Sequence, residues 1–366
     1  MESLFSGIYK DKTVLVTGHT GFKGSWLVYW LNEMGAKVVG YSLEAPTTPN
    51  HIGLLDGLNI VSIVGDIRDL DKLNRVFQEY KPDIVFHLAA QPLVRLSYEN
   101  PIETYDTNVM GTLKVLEACR KMNVKAIVNI TSDKAYENKE WLWGYRENDP
   151  LGGYDPYSSS KGCADLLVNS YRNSYFNVND YQKTHNTLLA SCRAGNVIGG
   201  GDWAVDRLMT DIMVSVSNNK KVSIRSPHAT RPWQHVLEPL SGYLHVGQKL
   251  LEGKVEFSEA WNFGPSDEGS ISVEEVAQNV KQYWDKIDYE INEDNSNLHE
   301  ANRLKLDCSK AHIRLKWKDV WNSDTTFEKT VKWYKAYYEN NIVLTKDNLE
   351  DYVQDAKKYS LEWAKF

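Results

Sequence analysis

The sequence predicts a doubly wound parallel α/β sheet, on three observations. Short β-branched runs alternate with longer helical patterns from residue 13 to 130, the first run passes directly into a glycine-rich turn and a helix, and later runs end in small or polar residues where ligands of open sheets bind. The runs are 13–17, 37–42, 60–64, 83–88 and 126–131. Between most of them apolar residues recur every three or four positions, over 22–34, 70–80 and 102–122. That spacing predicts helices, with Gly35 placed to stop the first. A right-handed crossover at each step closes the βαβ series into a sheet covered on both faces.

Beyond about residue 175 the pattern loosens. Residues 186–192 read as one more sheet strand and 195–202, rich in glycine, as a loop. Short strands at 222–225 and 260–263 and amphipathic helices at 273–284 and 327–338 then predict a smaller α/β lobe closing over a cleft. The expected division is a dinucleotide-binding domain over 1–193, a substrate lobe mainly over 194–343 with some segments returning to the core, and a helical tail over 344–366. That tail carries Trp363 and alternating charge, which suits a docked helix, an oligomer contact or a solvated helix.

Composition excludes several function classes. With 42% apolar and 25% charged residues in 366, the chain is ordinary globular material with a large core. Its net charge of −7, without a basic run, opposes a nucleic-acid partner. Cys119, Cys163, Cys192 and Cys308 lie far apart with no CxxC pair, so neither a metal site nor a disulfide framework is expected, and a reducing cytoplasm fits. No run approaches a membrane span, and the first twelve residues lack a basic start followed by an apolar stretch.

The turn Gly18-His19-Thr20-Gly21-Phe22-Lys23-Gly24 spaces its glycines as GxxGxxG between a strand and a helix. Such glycines let backbone amides approach a pyrophosphate at the positive end of the helix, and the last allows close helix–strand packing. Asp66, with Ile67 after it, follows the third strand, where its carboxylate either accepts from an adenine amino group or caps the next helix. Leu88, Ala89 and Ala90 follow the fourth, where small residues let a cofactor pass. The acid expected after the second strand is replaced by Ser42; Glu44, two residues on, is either a ribose acceptor or a surface carboxylate. No Lys or Arg occurs from Gly40 to Gly65, which favours NAD over NADP, and only Lys23 keeps NADP open.

The strand 126–131 ends in Ser132-Asp133-Lys134, and 23 residues beyond Lys134 stands Tyr157-Ser158-Ser159-Ser160-Lys161. Four residues is close to one helical turn, so Tyr157 and Lys161 share a face. A neighbouring ammonium and a positive nicotinamide would pull the tyrosine below its usual value of about 10 and make it a base near neutrality.

GxxGxxG at 18–24 and YxxxK at 157–161 together resemble the extended short-chain dehydrogenase/reductase superfamily, which implies a Rossmann fold and NAD. Within it, Ser132-Asp133-Lys134 is similar to the sugar-nucleotide 4,6-dehydratases, and Lys134 in place of Glu, with 18–27, 193–204 and 231–240, resembles the branch acting on CDP-glucose. The resemblance, over about 8–340, places Gly18, Thr20, Gly21, Phe22, Lys23, Gly24, Asp66, Ile67, Leu88, Ala89, Ala90, Thr107, Tyr157 and Lys161 at the cofactor, and Gln91, Asn196, Arg207 and Arg231 at the substrate. It further implies that Tyr157 takes the C4 hydroxyl proton while hydride passes to NAD, with Ser132 orienting that oxygen. Lys134 removes the C5 proton or steadies an enolate, protonated Asp133 donates to the departing C6 hydroxyl, and hydride returns to C6. Trp203 and Trp233 are base-stacking or core residues; His235 and Glu238 read as structural. A homo-oligomer, dimer or tetramer, is implied through the helices at 102–122 and after Tyr157. The competing readings are a nucleotide-sugar 4-epimerase, a dehydratase of another NDP-glucose and a non-catalytic NAD-binding regulator.

Overall fold

The computed structural model describes residues 1–224, 227–266, 270–292 and 304–365. In chain order its strands are β1 (Thr13–Thr17), β2 (Lys37–Ser42), β3 (Ile60–Val64), β4 (Ile84–His87), β5 (Ala126–Ile130), β6 (Leu188–Ala194), β7 (Val197–Ile198), β8 (Val222–Ile224), β9 (Thr230–Pro232), β10 (Gln234–His235), β11 (Ala260–Phe263), β12 (Ser270–Ser272) and β13 (Tyr289–Ile291). Seven form one parallel sheet in the order β11-β6-β5-β4-β1-β2-β3. The order reverses between β1 and β4, which opens a crevice at their carboxyl ends.

Both faces of this sheet are covered, and the strand residues divide between two apolar clusters by simple alternation. Val14 and Val16 of β1 and Ile84 and Phe86 of β4 join one, whereas Leu15 and Val85 join the other. The first cluster takes Trp26, Leu27 and Trp30 from α1 (Phe22–Glu33). The second takes Leu73, Val76 and Phe77 from α2 (Leu70–Tyr80). Next come α3 (Val94–Glu99), α4 (Pro101–Tyr105), α5 (Thr112–Lys121) and α6 (Pro156–Ser174), of which α5 and α6 complete the second cluster through Val115, Leu116, Val168 and Tyr171.

The helix expected over 102–122 is interrupted. Asp106–Gly111 winds as a π turn between α4 and α5, and α3 stands before it as an element the periodicity did not predict. The wider turn carries Asn108, whose amide holds Gln91 and Ser160 at once.

The remaining helices are α7 (Leu208–Ser217), α8 (Leu237–Leu251), α9 (Val273–Lys281), α10 (Ser323–Asn340) and α11 (Thr345–Lys358). Every residue of α8 from Leu237 to Gln248 is buried, so it has no polar stripe to betray it in the sequence. It packs on β5, β6 and β11, and through β11 the second half of the chain rejoins the main sheet. The glycine-rich stretch 195–202 is not wholly a loop, because β7 within it pairs with β10. Residues 222–224 pair with β13, while Arg225 lies outside the described residues. The tail is docked: Leu349, Tyr352 and Val353 are buried, and Trp363 stacks on Phe5 at 5.1 Å. Phe366 lies outside the described residues.

One buried carboxylate ties this tail to the core. Glu238 of α8 accepts hydrogen bonds from the Val320 and Trp321 amides at 3.0 and 2.8 Å and from the Tyr352 hydroxyl at 2.8 Å. Burial pushes its carboxyl up to about 8 against those three donors. A carboxyl raised on folding lends stability that is full below its unfolded value and is lost as pH rises through the folded one. Wild-type stability in urea should therefore fall between about pH 5 and pH 8, and Glu238→Gln should flatten that fall.

Candidate active site

The glycine turn fills the crevice between β1 and β4. Gly18 has φ +76°, and a Cβ there would meet the Ala89 backbone nitrogen at 2.8 Å. A Cβ on Gly24 would fall 2.1 Å from the Gly18 carbonyl oxygen, so the turn, the first helical residues of α1 and the segment after β4 are packed backbone to backbone. Gly21 differs: its nearest neighbour would be the Gly18 oxygen at 3.4 Å. No side chain caps α1, so its leading amides face that open side. This cradle fits a pyrophosphate.

Around it the expected cofactor residues are distributed unevenly. The Thr20 hydroxyl bonds the Ser42 hydroxyl at 2.7 Å and the Leu43 carbonyl at 3.0 Å, tying the turn to the end of β2. Leu88 and Ala89 hang from the Thr17 carbonyl and hydroxyl, each at 3.2 Å. Ile67 is buried and would abut any Cβ on Gly111, one end of the π turn that also carries Thr107. Asp66 is not the helix cap, since Asp69 accepts from the Lys72 amide. Its carboxylate receives Arg68 through Nε and Nη2, which holds it below the usual carboxylate range. Glu44 is exposed.

Lys23 lies within electrostatic reach of Asp133, Arg207 and Lys161. Burial lowers its ammonium to about 8, opposed by the charge of Asp133 and reinforced by Arg207 and Lys161. It therefore belongs with Asp133 and Lys161 in one cluster of ionisable groups.

That cluster gathers on the loop after β5 and the start of α6. The Ser132 hydroxyl donates to Asp133 Oδ1 at 2.8 Å, and the Lys134 amide donates to the same oxygen at 2.8 Å. Asp133 Oδ2 faces Gly195, where a Cβ would come within 3.3 Å of it. Burial raises the Asp133 carboxyl above its ordinary value, against the charge of Lys134, the Ser132 hydrogen bond and the charge of Lys23. A proton on that carboxyl is what an acid needs. Lys134 itself is half-buried beside it.

Tyr157 and Lys161 lie one turn apart on α6, both buried. The helix is started by Asp155, which accepts from the Ser158 amide, followed by Pro156 in the first turn. The Tyr157 amide is held by the Ser97 hydroxyl at 3.1 Å. The expected lowering of the Tyr157 hydroxyl is not found with protein groups alone: burial pushes it up to about 12, while the Ser132 hydrogen bond and the Arg207 charge pull it down and Asp133 pushes it further up. Desolvation of a phenolate outweighs one hydroxyl and one partly exposed guanidinium.

On the substrate side, Asn196 sits between β6 and β7, next to the glycine that faces Asp133. Arg207 opens α7, pairs with Asp202 at 2.5 Å and acts on Tyr157. The Gln91 side chain is engaged within the fold: it donates to the Leu93 carbonyl and the Thr104 hydroxyl and accepts from the Leu93 amide, so it shapes the segment after β4. The backbone of Arg231 pairs with Ile271, but its side chain lies outside the described residues. Trp203 and Trp233 are core residues, the first bonded to the Tyr338 hydroxyl and packed on Trp333, the second against Phe327. His235 is buried between Trp26 and Trp321.

Sequence reasoning passed over the supports of this cluster. Asn108 had no motif to mark it. Asp165, four residues after Lys161, and Arg193, at the end of β6, carried signals in their spacing and in a buried position for a charge.

A parallel sheet with this glycine turn, and a buried Tyr/Lys pair on the helix facing it, defines an extended short-chain dehydrogenase/reductase. A family model for GDP-mannose 4,6 dehydratase matches residues 15–332. A CDP-glucose 4,6-dehydratase of Salmonella typhimurium is 54% identical over 94% of this chain and 97% of its own length. A probable dTDP-glucose 4,6-dehydratase of Sinorhizobium fredii is 27% identical over 88% and 92%. Among solved structures, an epimerase from Methanothermobacter thermautotrophicus superposes with a TM-score of 0.79 at 25% identity, covering 93% of this chain and 95% of that one. A dTDP-glucose 4,6-dehydratase from Bacillus anthracis in complex with NAD gives 0.74 at 23%, covering 90% and 98%. The chain belongs to the GDP-mannose 4,6 dehydratase family.

Two alanine substitutions separate packing from binding at the turn. Gly18→Ala should lower the melting temperature, because φ is positive and backbone blocks the new methyl. Gly21→Ala should melt normally yet bind NAD at least about tenfold more weakly by calorimetry, the loss of one close backbone approach.

Proposed function

We propose that this chain is an NAD-dependent dehydratase that converts CDP-glucose to CDP-4-keto-6-deoxyglucose. The observation carrying this reading is Asp133: a buried carboxyl held with a raised pKa, beside Ser132 and near Tyr157, is an acid poised to expel water. An epimerase has no use for that acid. The 54% identity to a CDP-glucose 4,6-dehydratase supports the nucleotide and the sugar.

NAD bound in the cradle at Gly18–Gly24 would accept hydride from C4 and return it to C6. The chain's own groups do the rest. Tyr157 removes the C4 hydroxyl proton, with Ser132 orienting that oxygen. The resulting 4-ketone acidifies the C5 hydrogen, and Lys134 is the group assigned to it. Asp133 passes its proton to the departing C6 hydroxyl. Asn196, Arg207 and Arg231 are assigned to the diphosphate, the guanidinium of Arg207 being the one whose charge also reaches Tyr157. We further assign a homo-oligomeric state: Ile102 of α4, Met110 of the π turn and Leu166 of α6 are exposed apolar side chains on adjoining helices.

CDP-glucose bearing deuterium at C4 should yield a 4-keto-6-deoxy product with the label at C6, whereas dTDP-glucose should turn over poorly. Label retained at C4 in an epimerised sugar would overturn the reading. Asp133→Asn should slow water elimination by about 10²–10⁴-fold while still oxidising C4, seen as absorbance at 340 nm that builds up on the enzyme.

A further inference from the structure

Beneath the Tyr157/Lys161 pair lies a buried charge that the dehydration steps do not use. Asp165 follows Lys161 by four residues on α6, and the two are 2% and 6% exposed. Its carboxylate is gripped from two neighbouring strands. The Thr131 hydroxyl at the end of β5 donates to Oδ2 at 2.7 Å, and Arg193 of β6 donates through Nε to Oδ2 at 2.8 Å and through Nη2 to Oδ1 at 3.1 Å. Arg193 is in turn fixed by the Tyr136 hydroxyl at 2.7 Å and the Glu147 carbonyl at 3.1 Å. Thr131 is the residue immediately before Ser132-Asp133, so one carboxylate joins the catalytic loop, the catalytic helix and the neighbouring strand.

We propose that Asp165 is a positioning residue that acts through Lys161: fixed by Thr131 and Arg193 one helical turn beyond it, the carboxylate keeps the Lys161 ammonium charged beside Tyr157. The idea rests on reading Tyr157 and Lys161 as the working pair. Burial alone would strip a proton from a lysine so enclosed. The other groups in reach of Lys161 do not rescue it: His87 of β4 is neutral by burial and Lys23 is a like charge. Asp165 is the charge that opposes the loss, and the lysine settles at about 8. Burial would raise Asp165 itself, but Arg193 and Thr131 outweigh it and hold the carboxyl below its usual range. Arg172, also on α6, is a second cation within its field. Around neutrality the carboxylate is therefore always present, and Lys161 is the member that titrates.

The test reads Lys161 directly. Protein labelled with ¹³C at lysine Cε, the Lys161 signal being assigned by its absence in Lys161→Arg, is titrated by NMR without any sugar nucleotide. Asp165→Asn should lower the Lys161 midpoint by about one unit or more, and should move the alkaline limb of the kcat–pH profile, where the ammonium is lost, downward by a similar amount. Asp165→Glu should restore much of both. Should Asp165→Asn leave Arg193 too poorly matched to fold, the double variant Asp165→Asn/Arg193→Gln removes both charges and should show the same fall in smaller measure. A folded variant whose Lys161 midpoint is unchanged would overturn the proposal and leave Asp165 a brace alone. Because the titration needs no substrate, its failure is distinct from failure of the dehydratase reading, which only the labelled-sugar assay decides.

Discussion

Burial of several ionisable groups around one point is the constraint on which this structure depends. Lys23, Asp133, Tyr157 and Lys161 approach one another where β1, the loop after β5 and α6 converge, and for each of them the largest influence is loss of water. Desolvation disfavours every charged form alike, so lysines fall while the carboxyl and the phenol rise. The site is thereby driven towards neutrality, and each residual charge must be maintained by a named neighbour. That is a useful state for chemistry that moves a proton and a hydride in turn, because a group near its balance point can give and take a proton.

The neighbours that maintain charge are themselves placed by the fold. Gly18 and Gly24 bring the turn close to the segment after β4 and the head of α1, and Lys23 within it comes into electrostatic reach of Asp133. On the opposite side, Gly195 leaves Asp133 Oδ2 uncovered while Oδ1 is engaged by Ser132 and Lys134. A carboxyl with one oxygen tied and the other facing a glycine has a defined direction for its proton. The same economy explains Asn108, which a π turn rotates inward so that a single amide fixes the segment after β4 against α6.

Much of this was legible in the sequence, and the illegible parts share a physical cause. The sheet strands read clearly because runs such as Val14–Val16 and Ile84–Phe86 are buried on both faces and carry β-branched or aromatic residues. Glycine spacing located the cradle, and the four-residue step located Tyr157 and Lys161. Helix α8 escaped because periodicity needs a wet face and α8 has none. The π turn escaped because its reason is a tertiary hydrogen-bond set at Asn108. Gln91 was assigned to the substrate on resemblance, and the bonds of its side chain to Leu93 and Thr104 are partners that no motif names. Side-chain direction depends on partners distant in sequence, which no local pattern encodes.

The Tyr157 hydroxyl is the sharpest case of this limit. Counting a lysine one turn away predicts a lowered value, whereas the enclosed phenol stands at about 12. The two statements concern different balances. Proximity of a cation sets one contribution, and the depth of enclosure sets another that is larger here and invisible to spacing. A base of this kind is then one whose ionised form appears only as further positive charge enters the cleft. Arg207 already contributes from the substrate side, and a nicotinamide ring carries the charge the protein withholds. On the proposed reading, seating that charge beside Tyr157 favours its ionised form, the form that takes a proton.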